Sequence, residues 1–377
     1  MNKASVKMWL AEPLKQEVAS ALERLAKTED VYHIAVMPDV HLAKDVCIGT
    51  VVATQSRLYP QAVGNDIGCG MTAICFQCQA DILKEEKAAA RLLNGLGKLV
   101  PTNRHPKLTM VDSLPDALQE APLSDPQLEK LKRRDARVQF ATLGRGNHFL
   151  EFQCSTQNEL WLMVHSGSRA IGQSITNHHL RQAATANTGL LFLHAISEMG
   201  QAYLQDIDWA YAYADLSRKA IIEAVIVLME EFFGVSADLS SMMACHHNHV
   251  KREKHFGESY WVHRKGAVSA ANGEVGIIPG SMGTSSFHVE GRGCESALRS
   301  SSHGAGRAMS RYEARKTFTI KQLRQQMTCI WFDHRLEKQL REETPLAYKD
   351  IHTVMRAQRE LVRIVRKLRP VLSYKGT

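Results

Sequence analysis

The sequence predicts an α+β fold: a β-rich central core of packed mixed or antiparallel sheets, flanked by helices and interrupted by a helical insertion. Three observations predict it. Short runs of apolar and β-branched residues recur along most of the chain, as in strands that pack on a core. From about Gly172 to Gly234 the texture changes to longer Ala-, Leu- and Ile-rich segments, as in packed helices. No internal repeat or low-complexity linker divides the 377 residues. Residues 1–377 are therefore expected to form one domain, with the helical excursion at about 172–240 inside it.

The elements follow in order. After Glu12 and Pro13, the spacing of Leu14, Val18, Leu22 and Leu25 predicts a helix, and proline suits a first helical turn. Strands are predicted at Val31 to Met37, Ile48 to Thr54 and Met71 to Gln77, then a helix from Ala80 to about Gly95. The proline-rich, charged stretch from Pro101 to Asp135 reads as loop plus a short helix. Two strands follow, near His148 to Gln153 and Leu160 to His165. Beyond the helical stretch, strands return at Tyr260 to His263, Val275 to Pro279 and Ser285 to Glu290. Two helices, His303 to Arg315 and Lys349 to Leu368, are predicted to close the chain.

Composition narrows the function classes. No run of eighteen apolar residues exists, so no membrane-spanning helix is predicted. The N-terminus carries early acidic residues and no long apolar stretch, which argues against a signal or transit peptide and makes the cytoplasm the expected location. A net charge of +8 permits an acidic partner without requiring one. Eight irregularly spaced cysteines fit reduced thiols, not a disulfide framework.

Seven short segments, five of them with glycine, carry ligand-type side chains: MPDVH from Met37, GNDIGCG from Gly64, GRGNHFLE from Gly144, HSGSR from His165, CHHNHV from Cys245, PGSMGTSSF from Pro279 and SHGAGR from Ser302. Any one alone is more often a turn than a site. Asp66 and Cys69, three apart between glycines, can converge on one ion. Carboxylate, thiolate and imidazole together suit Mn, Fe, Co or Zn better than Mg or Ca. His148, His165 and His247 are the natural remaining ligands, although spacing alone does not choose His247 over His246 or His249. Cys75 and Cys78 have the spacing of a zinc half-site, but on a strand they would share no face and read as structural. SHGAGR reads either as a phosphate-cradling loop before a helix, with His303 a competent nucleophile toward phosphorus, or as a helix cap at Ser302. Arg145, Arg169, Arg264, Lys265 and Arg307 flank these loops. Arg356, Arg359, Arg363 and Arg366 would form a helical stripe, either a solvated face or a nucleic-acid track.

Nine segments in order, MPDVHL, GNDIGCGM, LGRGNHFLE, HSGSRAIG, CHHNHV, RKGAVSA, IIPGSMGTSSF, SHGAGRAMSR and AYKDI, resemble the motifs of the RtcB family of RNA ligases over about Val6 to Lys375. The resemblance implies a GTP- and manganese-dependent ligase. Such an enzyme joins an RNA 3′-phosphate or 2′,3′-cyclic phosphate to a 5′-hydroxyl, as in RNA repair or tRNA splicing. It further implies that His303 is guanylylated. Asp66, Cys69 and His148 would hold one Mn²⁺, and Cys69, His165 and His247 the second, with Cys69 bridging. The implied guanylate pocket comprises Asn147, His148, Phe149, Leu150, Glu151, His247, Asn248, Pro279, Gly280, Ser281, Met282, Ser286, His303, Gly304, Ala305, Gly306 and Lys375. Glu151 can accept from the N1–H and N2 donors of guanine. A monomer acting on RNA, with no membrane, is expected. The chain departs from the family at Ala43 and Asp45, where glycine is commoner, and at Asn65, commonly hydrophobic or aromatic, departures that bear on substrate preference more than on chemistry. A two-metal phosphohydrolase is the main competing reading of the same ligands, and a silent RNA-binding protein with a structural metal is a second.

Overall fold

In the computed structural model, which describes residues 4–105 and 113–376, two sheets carry most of the strands. The first has five, in the order Ser5–Met8, Val31–His41, Ile48–Thr54, Glu258–Lys265 and Asn248–His255. The second runs Ala237–His246, Gly70–Gln79, Glu159–Ser166, Phe149–Ser155, Val362–Lys375, Ser286–Gly291 and Val275–Ile278, with Trp331–Phe332 paired to the side of Val362–Lys375. It is antiparallel along that path. Its outer strands come together, Cys245 Sγ lying 4.0 Å from the Ile277 carbonyl, so the sheet curls almost into a barrel.

Alternation of side chains sorts the two faces of this second sheet. Ile74, Phe76, Leu150, Phe152, Leu162 and Val164 point outward onto Leu92 and Leu96 of the helix Glu86–Leu99, and onto Ile221, Val225 and Leu228 of the helix Glu198–Phe233. Met71, Ala73, Trp161, Met163 and Leu368 point inward. Burying so many apolar side chains on the outer face is the main local driving force for docking both helices. The long helix is capped by the Ser197 hydroxyl, which accepts from Gly200 N, and ends at Gly234 in the left-handed conformation (φ 64°). With the helix Arg169–Leu180 and two short strands, Ala184–Thr185 and Leu191–His194, it forms the stretch read as helical from sequence. Among the described residues, no helix is long and apolar enough to cross a membrane.

Several elements differ from expectation. The first helix is Gln16–Ala26, leaving Pro13 and Leu14 outside it. A 3₁₀ turn, Ala80–Leu83, precedes the helix Glu86–Leu99. The loop read over Pro101 to Asp135 holds two short helices, Asp116–Glu120 and Pro126–Leu131, and a π-helical turn at Lys132–Ala136; residues 106–112 of that reading lie outside the described residues. Two strands, Ala237–His246 and Asn248–His255, were not predicted. No helix starts at His303; the helix there is Arg311–Thr317, opened by a capping box between Ser310 and Glu313. The expected C-terminal helix is only Ile351–Ala357, followed by the fourteen-residue strand Val362–Lys375. The arginine stripe is thereby broken: Arg363 pairs with Glu290, and Arg366 lies over the Trp161 ring.

Candidate active site

The strand ends explain why the motifs meet. Strand register places Gly70 opposite Ser166 and His246, and Phe149 opposite His165 and Lys375, so one rim of the second sheet gathers five strand ends. Asp66 and Cys69 lie in the loop entering Gly70–Gln79, closed by a Cys69 N to Asp66 O bond of 3.1 Å. His148 immediately precedes one strand, and His165 sits near the end of its neighbour. His247 is the single residue between Ala237–His246 of one sheet and Asn248–His255 of the other. That joint parts the three histidines left open by spacing: His246 turns to Asp215 and His249 to Arg264, while His247 faces the Cys69 cluster.

The candidate ligand atoms fall into two sets sharing one sulfur, Asp66–Cys69–His148 and Cys69–His165–His247. Cys69 Sγ lies 3.4 Å from His148 Nε2 and 3.2 Å from His165 Nε2. His148 Nε2 is 2.8 Å from Asp66 Oδ2, and the Nε2 atoms of His165 and His247 are 3.4 Å apart. His165 Nδ1 donates to the Asn147 carbonyl at 3.0 Å, which leaves the Nε2 lone pair facing the sulfur. Gly167 is required here, because a Cβ would come within 2.4 Å of Asp66 Oδ1.

Electrostatics suit a divalent cation. Burial, followed by the neighbouring histidines, holds His165 and His247 well below the usual imidazole range, so both are neutral donors. Burial alone would raise the Asp66 carboxyl, but His148, Cys69 and Arg169 outweigh it and hold Asp66 at about 2. Burial and the Asp66 charge push the Cys69 thiol far up, so a thiolate at this position needs cationic compensation. Behind the loop, the fully buried Arg218 of the long helix donates to the carbonyls of Gly68 (2.9 Å) and Ser166 (2.8 Å). Nothing local in the sequence marked Arg218 for this position.

His303 closes the site from the other side. Its ring centroid is 4.9 Å from that of His247, and its Nδ1 donates to Asp39 Oδ2 at 2.6 Å. The same oxygen accepts from His303 N at 3.2 Å. Asp39, on the strand Val31–His41, has no exposed surface. Holding the proton on Nδ1 leaves Nε2 with a free lone pair, the arrangement of an oriented nucleophile or base. Asp39 was visible in MPDVH but had no sequence signal for this role. Gly306 (φ 72°) lets the loop approach, since a Cβ there would lie 2.3 Å from the Asp39 carbonyl. His303 is carried by a loop after the strand Ser300–Ser302, so its neighbourhood owes nothing to a helix N-terminus.

A cavity opens beside His303. Its walls include Asn147, Phe149, Glu151, His165, Pro279, Gly280, Ser281, Met282, Ser286, His303, Gly304, Ala305, Gly306 and Lys375. Of the remaining expected pocket residues, His148 and His247 belong to the ligand cluster, and Leu150 turns its side chain into the core. Asn248 ties the joint together, Nδ2 donating to Asp66 O and Oδ1 accepting from Gly266 N. His41, Met71, Arg307, Arg311, Tyr348 and Ser373 also line the cavity and were not anticipated as pocket walls. Burial raises the Glu151 carboxyl to about 8, against the opposing effects of Gln153 and Lys375. Glu343 is a buried hub that accepts from Lys375 Nζ (2.6 Å), Arg311 Nε (2.9 Å), Arg307 Nη1 (3.1 Å) and the Tyr348 hydroxyl. Burial opposes its ionisation, but these cations hold it at about 2.

Of the flanking basic residues, Arg264 is buried against Glu253 and His249, and Lys265 donates to Gln61 O; neither faces the cavity. Arg169 reaches Thr142 and the Thr102 carbonyl. Arg307 lines the cavity, and Arg145 is exposed. Cys75 and Cys78 are free thiols outside both ligand sets.

Fold and site together define the class, an α+β enzyme with a candidate dinuclear metal centre beside a cavity of mixed polar and apolar walls. The chain matches the model of the family described as tRNA-splicing ligase RtcB over residues 21–376. It is 36% identical to the RNA-splicing ligase RtcB of Escherichia coli K12, across 99% of this chain and 98% of that protein. It is 32% identical to RNA-splicing ligase RtcB2 of Escherichia coli ATCC 25922, across 99% and 95%. Identity to the tRNA-splicing ligase RtcB of Methanococcus maripaludis is 28%, across 92% and 88%. The chain belongs to the RtcB family.

Proposed function

We propose that this enzyme is an RNA ligase that joins 3′-phosphate or 2′,3′-cyclic-phosphate ends to 5′-hydroxyl ends, with GTP as the activating nucleotide. The observation that carries the reading is the approach of the Asp39-oriented His303 to the Cys69-centred ligand cluster at one cavity.

Asp66, Cys69 and His148 would hold one manganese, and Cys69, His165 and His247 the other. The mixed sulfur, nitrogen and oxygen set suits Mn²⁺, and also Co²⁺ or Zn²⁺. When bound, the pair would offset negative charge building on phosphate oxygens. In the first step His303 Nε2 attacks the α-phosphorus of GTP; an N–P bond forms, the bond to the bridging oxygen breaks, and pyrophosphate departs. An oxygen of the RNA 3′-phosphate then displaces His303 from that phosphorus. Finally the 5′-hydroxyl attacks the activated 3′-phosphorus, losing its proton, and GMP leaves. Cyclic ends are first opened by water to the 3′-phosphate. Asp39 keeps the imidazole proton on Nδ1 throughout. Asn147, Phe149, Glu151, Pro279 to Met282, Ser286, Gly304 to Gly306 and Lys375 would surround the guanylate, with Glu151 reading the base. Residues 1–377 are proposed to work as one catalytic unit, monomeric and cytoplasmic.

The test is incubation with α-labelled GTP and Mn²⁺, then with RNA fragments bearing defined ends. The expected result is acid-labile label on the wild type and none on His303→Ala, with joining of 3′-phosphate but not 3′-hydroxyl fragments. Nucleotide turnover without protein-bound label would instead assign a phosphohydrolase.

A further inference from the structure

We propose that Ser373 is a further base-recognising residue of the cavity, its hydroxyl donating to the 6-oxo group of guanine beside the Glu151 carboxylate. The inference rests on the guanine-nucleotide reading above and extends it to a residue outside the nine motifs.

The backbone supplies the first reason. On the strand Val362–Lys375, Leu368 faces inward and pairs with Ser155, and Pro370 pairs with Gln153. Strict alternation would therefore turn residues 372 and 374 to the inside. A register shift between Pro370 and Leu372 reverses this: Leu372 enters the outer core opposite Phe152, and Ser373 and Lys375 line the cavity, opposite Glu151 and Phe149. A bulge of this kind re-aims side chains at the cost of local pairing. Here it exchanges a leucine for a hydroxyl at the cavity wall.

The second reason is an unmet hydrogen bond. Ser373 is 2% exposed, and its Oγ has no partner among the described residues. Buried hydroxyls are nearly always satisfied, so one without a partner on a cavity wall has a donor to offer a ligand. Cross-strand partners hold their β-carbons about 5 Å apart, which sets Ser373 and Glu151 side by side. Gln153 Nε2 donates to Glu151 Oε1 at 2.7 Å and orients the carboxylate. A carboxylate that accepts from N1–H and the 2-amino group, next to a hydroxyl that donates to O6, covers the whole Watson–Crick edge of guanine.

The experiment uses the full chain with Mn²⁺ and compares GTP with 6-thioguanosine triphosphate, whose sulfur is a poor acceptor but which keeps N1–H and the 2-amino group. The rate of His303 labelling is measured against nucleotide concentration for wild type, Ser373→Ala and Ser373→Thr. The wild type is expected to prefer GTP by about five- to tenfold in kcat/KM, the worth of one neutral hydrogen bond. Ser373→Ala should lose that preference through a higher KM for GTP, and Ser373→Thr should retain it. Because the hydroxyl bonds nothing within the protein, Ser373→Ala should keep the wild-type Tm. An unchanged preference in Ser373→Ala, or a clear fall in its Tm, overturns the proposal. A wild type that labels with neither nucleotide overturns the guanine reading itself, and the two failures are thus separable.

Discussion

Replacing Asp39 by asparagine isolates the orientation of His303. Asp39 Oδ2 accepts from both His303 Nδ1 (2.6 Å) and His303 N (3.2 Å). An amide has one acceptor oxygen and one donor nitrogen. With the oxygen in the Oδ2 place both bonds survive but lose their charge; with the nitrogen there, a donor faces Nδ1, which favours the tautomer protonated on Nε2 and blocks the nucleophilic lone pair. Losing a hydrogen bond to a charged group costs about 1.5–3 kcal/mol, or roughly 10- to 150-fold in rate. The wrong tautomer carries the loss further, toward ~10⁴-fold, as when a buried carboxylate behind a catalytic imidazole is amidated in a serine protease. Single-turnover labelling with α-labelled GTP reads the step directly, and circular dichroism checks the fold. Labelling of Asp39→Asn at the wild-type rate, with His303→Ala inert, would refute the positioning role.

Three other outcomes follow from the same geometry. Co²⁺ added to the protein should give a near-ultraviolet sulfur-to-metal band that Cys69→Ser lacks; since burial keeps the ion-free thiol protonated, binding should release a proton and tighten with rising pH. Glu151, ordinarily at 4.5 and raised by burial to about 8, keeps in the folded chain a proton that the unfolded chain releases. Its contribution therefore makes stability fall between pH 4.5 and 8, and Glu151→Gln should flatten that slope in thermal melts, while GTP affinity of the wild type should rise toward pH 8 as the carboxylate forms. Gly167→Ala should weaken metal binding by more than about tenfold in calorimetric titration, because its Cβ would displace Asp66 from a 2.4 Å approach.

What could be read locally was read well. Ile48–Thr54 matched its predicted bounds, and the Phe149–Ser155 and Glu159–Ser166 strands differed only at their ends, since β-branched and apolar alternation is a near-neighbour property. The C-terminal segment was misread because its arginines fall at helical spacing. It is nevertheless a strand, paired with residues 286–291 and 149–155, and Arg363 and Arg366 find partners 73 and 78 positions away. Such distant pairing overrides local preference.

The sequence by itself determined the chemistry available: a thiol, a carboxylate and several imidazoles in glycine-bearing loops, in the order that marks the family. Only the tertiary structure decided which of them share a site. It turned His247, and not His246 or His249, to the Cys69 cluster because that residue occupies the joint between two sheets. It set Asp39 behind His303 across 264 positions, Arg218 behind the Cys69 loop, and Ser373 beside Glu151 through one bulge. Side-chain type is a property of one residue, but its direction and neighbours depend on strand register and non-local packing, which no short stretch of chain encodes.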